Sequence, residues 1–385
     1  MAEDGELQRG ATVTTIYQTL HLNPKALRKS ALVYRLPLLA LALGALLLGL
    51  WAGLLRVGWP WPLLAPTVPA AHGPLMVNGF LGTLIGLERA VALGKRWAYL
   101  APLSALLGMV MLLVDVGGAL GYLLLLASGA ILATVMLTIW RLHRTLDTAM
   151  ILGGVLLWLV GNGLWLSGAA IGQLVYWWAG FLILTVAGER LELSRLLRLP
   201  PRVVALLLYG VAIYLLGLCL MFLRPTDGGQ VVGIGMIAIA LWLLRYDIAR
   251  RRIKAGGQAR FIAIALLSGY GWLIVAGVLA LRYPGQLAGP YYDALLHAIF
   301  LGFVFTMIFA HAPIVFAAVL QKPLRFTPRF YSHLVLLHLS LALRVGSDLT
   351  LWMDGRRWSG LLNALVLLLF LGNTVAALRA GARDQ

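Results

Sequence analysis

Residues 36–55 read LPLLALALGALLLGLWAGLL, twenty positions without a charge, closed by Arg35 on one side and Arg56 on the other. Twenty residues of α-helix rise about 30 Å, the thickness of a bilayer's hydrocarbon core. The stretch therefore reads as a transmembrane helix. The same signature, about 17–25 apolar residues bounded by charge or by Pro and Gly, recurs along the whole chain. The first half gives Ala31–Leu55, Ala71–Leu93, Trp97–Val116, Leu120–Trp140, Met150–Ala170 and Ile171–Gly188. The second gives Val203–Phe222, Gly229–Ala249, Phe261–Leu281, Tyr291–Leu320, Phe330–Trp352 and Trp358–Leu378. The fifth and sixth runs share almost no loop. The fold class is all-α, a polytopic transmembrane helix bundle of about twelve helices.

Composition agrees. Of 385 residues, 61% are hydrophobic and 12% charged, against about 45–50% and about 25% in soluble domains. A formal net charge of +17 raises the question of nucleic acid, but the cations sit in short clusters between apolar runs. With the amino terminus inside, twelve alternating spans put all 31 basic residues on the cytoplasmic side except Arg56, Arg224, Arg282, Arg344, Arg356 and Arg357. Such a bias is the positive-inside signature of topology, and nucleic acid is not implied. Residues 1–30 carry Glu3, Asp4 and Glu6 and do not read as a cleaved signal peptide. They form a cytoplasmic lead-in to one membrane domain, residues 31–380. The partner of that domain is the lipid bilayer.

Cysteine chemistry is limited to Cys219, which rules out an intramolecular disulfide, a CxxCH haem attachment and a thiolate-held iron–sulfur cluster. The external loop between Val57 and Ala70 holds Trp59, Pro60, Trp61, Pro62, Pro66 and Pro69, suited to an extended segment at the headgroup level. A faint echo joins Gly82-Thr83-Leu84-Ile85-Gly86-Leu87-Glu88-Arg89 to Leu184-Thr185-Val186-Ala187-Gly188-Glu189-Arg190. Its simplest reading is an acidic–basic pair at the inner end of each span.

Ionisable groups inside a membrane are costly and mark function by default. Five of seven histidines, His72, His297, His311, His333 and His338, fall within or at the ends of spans, while His21 and His143 lie in cytoplasmic segments. His297 and His311 are separated by fourteen residues of one helix, about 21 Å of rise and 40° short of four full turns. They share a face but not a metal. His311 and His338 each stand ten residues from the loop Gln321–Pro328, so an antiparallel hairpin sets them at equal depth as an inner pair. Pro313 frees the carbonyl of Phe309 and disturbs that helix one turn from His311. An outer pair is formed by His72, which opens the second span, and His297, which enters the tenth from the same side. Neutral imidazole ligates haem iron, copper and zinc. His333, beside Ser332 and Tyr331, reads as interfacial, and Met76 as core packing with a thioether in reach of His72. Arg344 and Asp348, at i,i+4, read as a neutralising pair, with the alternative that Arg344 receives a haem propionate. Asp115, Asp293, Asn78 and Asn162 are candidates for a polar path.

The tenth and eleventh spans resemble the NnrS family, twelve-helix bacterial membrane proteins associated with haem, copper and the response to nitric oxide. The resemblance lies in His297-Ala298, Gly302, Met307, Lys322-Pro323-Leu324 and Leu343-Arg344-Val345, and more weakly in Met76-Val77-Asn78-Gly79-Phe80, with His72 at the first histidine of the family's His-x-His-Glu-Met. Pro74 and Leu75 replace the second histidine and the glutamate of that pattern, and Val319 stands where the family has another histidine. The segment His72-Gly73-Pro74-Leu75-Met76 also resembles, loosely, a haem-ligating stretch of the haem-copper oxidase catalytic subunit. An adjacent His-His pair and a late His-x-His are missing.

What the resemblance implies is a haem b protein of the bacterial cytoplasmic membrane, with copper as the family's second metal and nitric oxide or another diatomic as its small-molecule partner. The expected ligands are His72 and His297, with a second haem or metal at His311 and His338. The alternative is a twelve-helix transporter or permease whose histidines are structural or proton-relaying. The residues specify ligation and leave the reaction open.

Overall fold

The computed structural model describes residues 24–322 and 324–383. The lead-in through Asn23, including His21, and Pro323 of the Lys-Pro-Leu resemblance lie outside the described residues. Twelve long helices follow one another: α1 (Pro24–Arg56), α2 (Pro69–Leu93), α3 (Arg96–Leu113), α4 (Leu120–His143), α5 (Leu146–Leu166) and α6 (Ile171–Leu197). The rest are α7 (Pro201–Leu223), α8 (Pro225–Tyr246), α9 (Gly257–Arg282), α10 (Pro290–Ala317), α11 (Phe330–Leu349) and α12 (Met353–Arg383). There is no strand among the described residues. Among the described residues eleven helices are long and apolar enough to cross a membrane, and the chain is a multi-pass membrane protein. The twelfth expected span, α11, does not qualify. His333, His338, Arg344 and Asp348 lower its hydropathy, and three of those four are buried against protein.

The turn between α5 and α6 is set by Gly168 at φ +91°, a left-handed conformation that glycine alone adopts without cost. Ala170 is then extended and α6 begins at Ile171. Sequence neighbours pack as antiparallel hairpins, α3 on α4, α5 on α6, α7 on α8 and α11 on α12. Three helices are central. The most apolar stretch is 83% buried in α6, 72% in α10 and 67% in α2, against 56% or less in the other eight that qualify. The central position thus recurs at every fourth helix.

Both α2 and α10 depart from α-geometry. Leu75–Gly82 and Ala298–Phe305 are wound as π-helix, with wider i→i+5 turns of the kind that cluster at functional sites. In each case the widened stretch follows a histidine, His72 or His297. α2 and α10 run side by side in matched register, the imidazoles of His72 and His297 facing each other and, eight residues on, the rings of Phe80 and Phe305 stacking at 5.9 Å.

Candidate cofactor site

The site is built where α1, α2 and α10 meet. Gly49-Leu50-Trp51-Ala52-Gly53 gives α1 a small-xxx-small face, which lets helices approach closely in a membrane. Methyl groups added there would fall 2.7 Å from the Met76 sulfur at Gly49 and 2.9 Å from the His72 ring at Gly53. The missing side chains are the seat of the imidazole. Nδ1 of His72 lies 2.7 Å from the carbonyl oxygen of Gly49, and Nδ1 of His297 lies 2.8 Å from that of Asp293. A carbonyl only accepts, so both Nδ1 atoms carry the proton and both Nε2 atoms present a lone pair. Neither Nε2 has a hydrogen-bond partner among the described residues. The two rings stand with centroids 6.4 Å apart and planes 16° apart, lining one cavity of about 270 Å³.

That spacing is too wide for van der Waals stacking. It leaves room for an ion between the two Nε2 atoms: metal–nitrogen bonds of about 2 Å plus about 1.1 Å from each nitrogen to its ring centre sum to about 6.3 Å. The remaining walls combine apolar side chains, among them Leu50, Leu81, Phe300 and Phe305, with Arg56, Arg344, Arg356, Asp293 and Asn363. Such a mixed lining suits an apolar ring system that carries carboxylates.

Arg344 is committed. Its guanidinium bonds Asp293, reaches Asp348 at 3.2 Å and donates to the carbonyl of Arg356 at 2.9 Å. Arg356 lies 3.1 Å from Asp348 and 3.4 Å from Asp293. The expected Arg344–Asp348 pair is therefore present, enlarged to four charges. Through Asp293, Arg344 supports the residue whose carbonyl holds His297. Arg56, exposed at the cavity, has no ion pair among the described residues. Asn363 keeps a buried Oδ1 without a partner.

The inner histidines are placed differently from the expectation. His311 donates from Nδ1 to Met307 at 2.7 Å, and its Nε2 accepts from Arg190 of α6 at 2.9 Å. His338 accepts from Trp272 Nε1 at 2.9 Å, and its Nε2 lies 3.0 Å from Ser268 Oγ, both on α9. All four nitrogens are occupied by protein, and the two rings point at different helices. No group of three or more His, Cys, Asp or Glu set to hold a metal occurs among the described residues. The shared face expected for His297 and His311 is lost because the π-wound stretch between them resets the helical twist. His333 is not interfacial: it is wholly buried, held by Asn373 at 3.1 Å and surrounded by Phe261, Phe309, Phe330 and Phe370.

Asn78 and Asn162 accept the indole N–H groups of Trp158 and Trp178, while Asp115 is exposed in a turn. They form no common path. The two Glu-Arg echoes do meet: Arg89 of α2 bonds Glu189 of α6, next to the Arg190 that bonds His311. Sequence reading missed the seat at Gly49 and Gly53, although their spacing was visible, and missed Arg56, Arg356 and Asn363, for which no local signal exists.

No curated protein and no solved structure matches this chain. A family model does, over residues 35–379. The chain belongs to the family described as Domain of unknown function (DUF8744).

Proposed function

We propose that this chain is a b-type haem protein of the bacterial cytoplasmic membrane, with both termini in the cytoplasm, acting in nitric oxide or nitrosative-stress metabolism. The observation that carries the reading is the His72–His297 pair: two Nδ1-protonated imidazoles on separate helices, 6.4 Å apart across one cavity. Haem, when bound, supplies an iron that changes oxidation state by one electron. The protein's part is to orient the two nitrogens, to cover the macrocycle with Leu and Phe side chains, and to offer Arg56 to the propionates. The nitric oxide setting rests on the resemblance of the tenth and eleventh spans to NnrS proteins, and the orientation on the positive-inside bias.

Detergent-purified protein should show a Soret band and release non-covalent haem b, and His72→Ala and His297→Ala should each retain less of it through purification. Colourless protein from haem-replete cells, free of iron and copper, sinks the reading. A reporter fused after Gln385, or between Ile248 and Lys254, should behave as cytoplasmic, and one between Val57 and Trp61 as periplasmic. The transporter alternative draws on a different observation, the half-buried Arg89–Glu189 and Arg190–His311 contacts, groups of the kind that relay protons in membranes.

A further inference from the structure

A haem that captures a diatomic gas needs one axial face open, or held by a ligand that leaves readily. Resting on the haem reading above, we infer that this site is closed on both faces: His72 and His297 both stay on the iron in either oxidation state, nitric oxide and carbon monoxide are excluded, and the site exchanges only one electron. That electron comes from a reduced one-electron carrier, goes to an oxidised one, and the ligands do not change.

Three observations carry this. First, each ring is tied by its Nδ1–H to a main-chain carbonyl, at 2.7 Å for His72 and 2.8 Å for His297. To vacate a face, a ring must break that bond as well as its bond to iron. Second, neither ring has an easy way out. His72 lies against the Gly53 backbone so closely that even a methyl there would sit 2.9 Å from it. His297 lies over the carboxylate of Asp293, 3.4 Å from Nδ1, and that carboxylate is fixed by Arg344 and Arg356. Third, the ring centres already stand 6.4 Å apart, the separation that two bonds to one ion require, so the helices need not move to close on a metal.

Near-parallel rings have an electronic signature. Two aligned imidazole π-systems act on the same iron d orbital and split it from its partner, whereas crossed rings leave the two nearly equal. The ferric protein should therefore give a rhombic three-feature low-spin EPR spectrum, as expected for planes 16° apart.

The test uses the full-length protein as purified with its haem. The dithionite-reduced spectrum should not change on adding carbon monoxide, and the ferric EPR should be low-spin and rhombic. In His72→Ala or His297→Ala reloaded with haem, the opened face should bind carbon monoxide and shift the Soret band. A carbon monoxide shift in the wild type, or a high-spin ferric signal, overturns the inference while leaving the haem reading standing. Absence of haem from the wild type overturns the haem reading itself, and this inference with it.

Discussion

Arg344 of α11 bonds the carboxylate of Asp293 on α10, and the main-chain carbonyl of that same Asp293 holds the ring of His297. A charged network at the end of one hairpin thereby reaches a candidate ligand on another helix. Arg344 is 3% exposed and Asp348 wholly buried, so removing the guanidinium strands buried carboxylates. Arg344→Ala should cost about 3–5 kcal/mol, read as loss of thermal stability in detergent. Arg344→Lys should recover only part, since an ammonium does not reproduce the planar fork.

Asp293→Asn keeps the carbonyl that orients His297 and removes the negative charge 3.4 Å from its Nδ1. A carboxylate behind an axial imidazole favours the more positive ferric state. A redox titration of the variant should therefore show a higher midpoint potential, on the order of 59 mV per tenfold change in the one-electron equilibrium. A potential that falls, or stays fixed, removes Asp293 from the tuning of the site.

Two glycines of α1 give a matched comparison. At Gly53 an added methyl meets the His72 ring at 2.9 Å, whereas at Gly44 it meets nothing within 4 Å. Gly53→Ala should displace the ring and lower haem content several-fold. Gly44→Ala should leave haem content unchanged and raise helix stability by up to about 1 kcal/mol.

His311→Ala and His338→Ala should leave the absorption spectrum as it is, because protein groups occupy both nitrogens of each ring. Their effect should appear in stability. Losing the acceptor of Arg190 leaves a buried donor unmet, a cost of about 1–3 kcal/mol, and denaturation of the two variants against wild type measures it.

The helix plan was legible in the sequence because hydropathy acts locally: Gly168 marks the one doubtful turn, and α11 differs only where its histidines and Arg344 had already been noted. That His72 and His297 come together was legible because His72 opens one span and His297 enters another from the same side. The inner pair misled, since equal distance from a loop fixes depth and not direction. His338 looks toward α9 and His311 toward α6. The π-wound turns in α2 and α10 carry no pattern that distinguishes Leu75–Gly82 or Ala298–Phe305 from ordinary helix, and they decide which way the following residues face. Likewise Glu88-Arg89 and Glu189-Arg190 read as local pairs, yet Arg89 bonds Glu189 on the other helix while its own neighbour Glu88 stands 4.0 Å away.

The two histidines proposed as ligands are separated by more than half the chain, one on the second helix and one on the tenth. During synthesis the first imidazole enters the bilayer early and waits, while nearly everything else is made before its counterpart arrives. A protein cut short anywhere before α10 has half a grip and no means to hold the group. On the haem reading, cofactor capture is therefore a late event in assembly, and a coloured molecule would be one whose central helices have all been inserted.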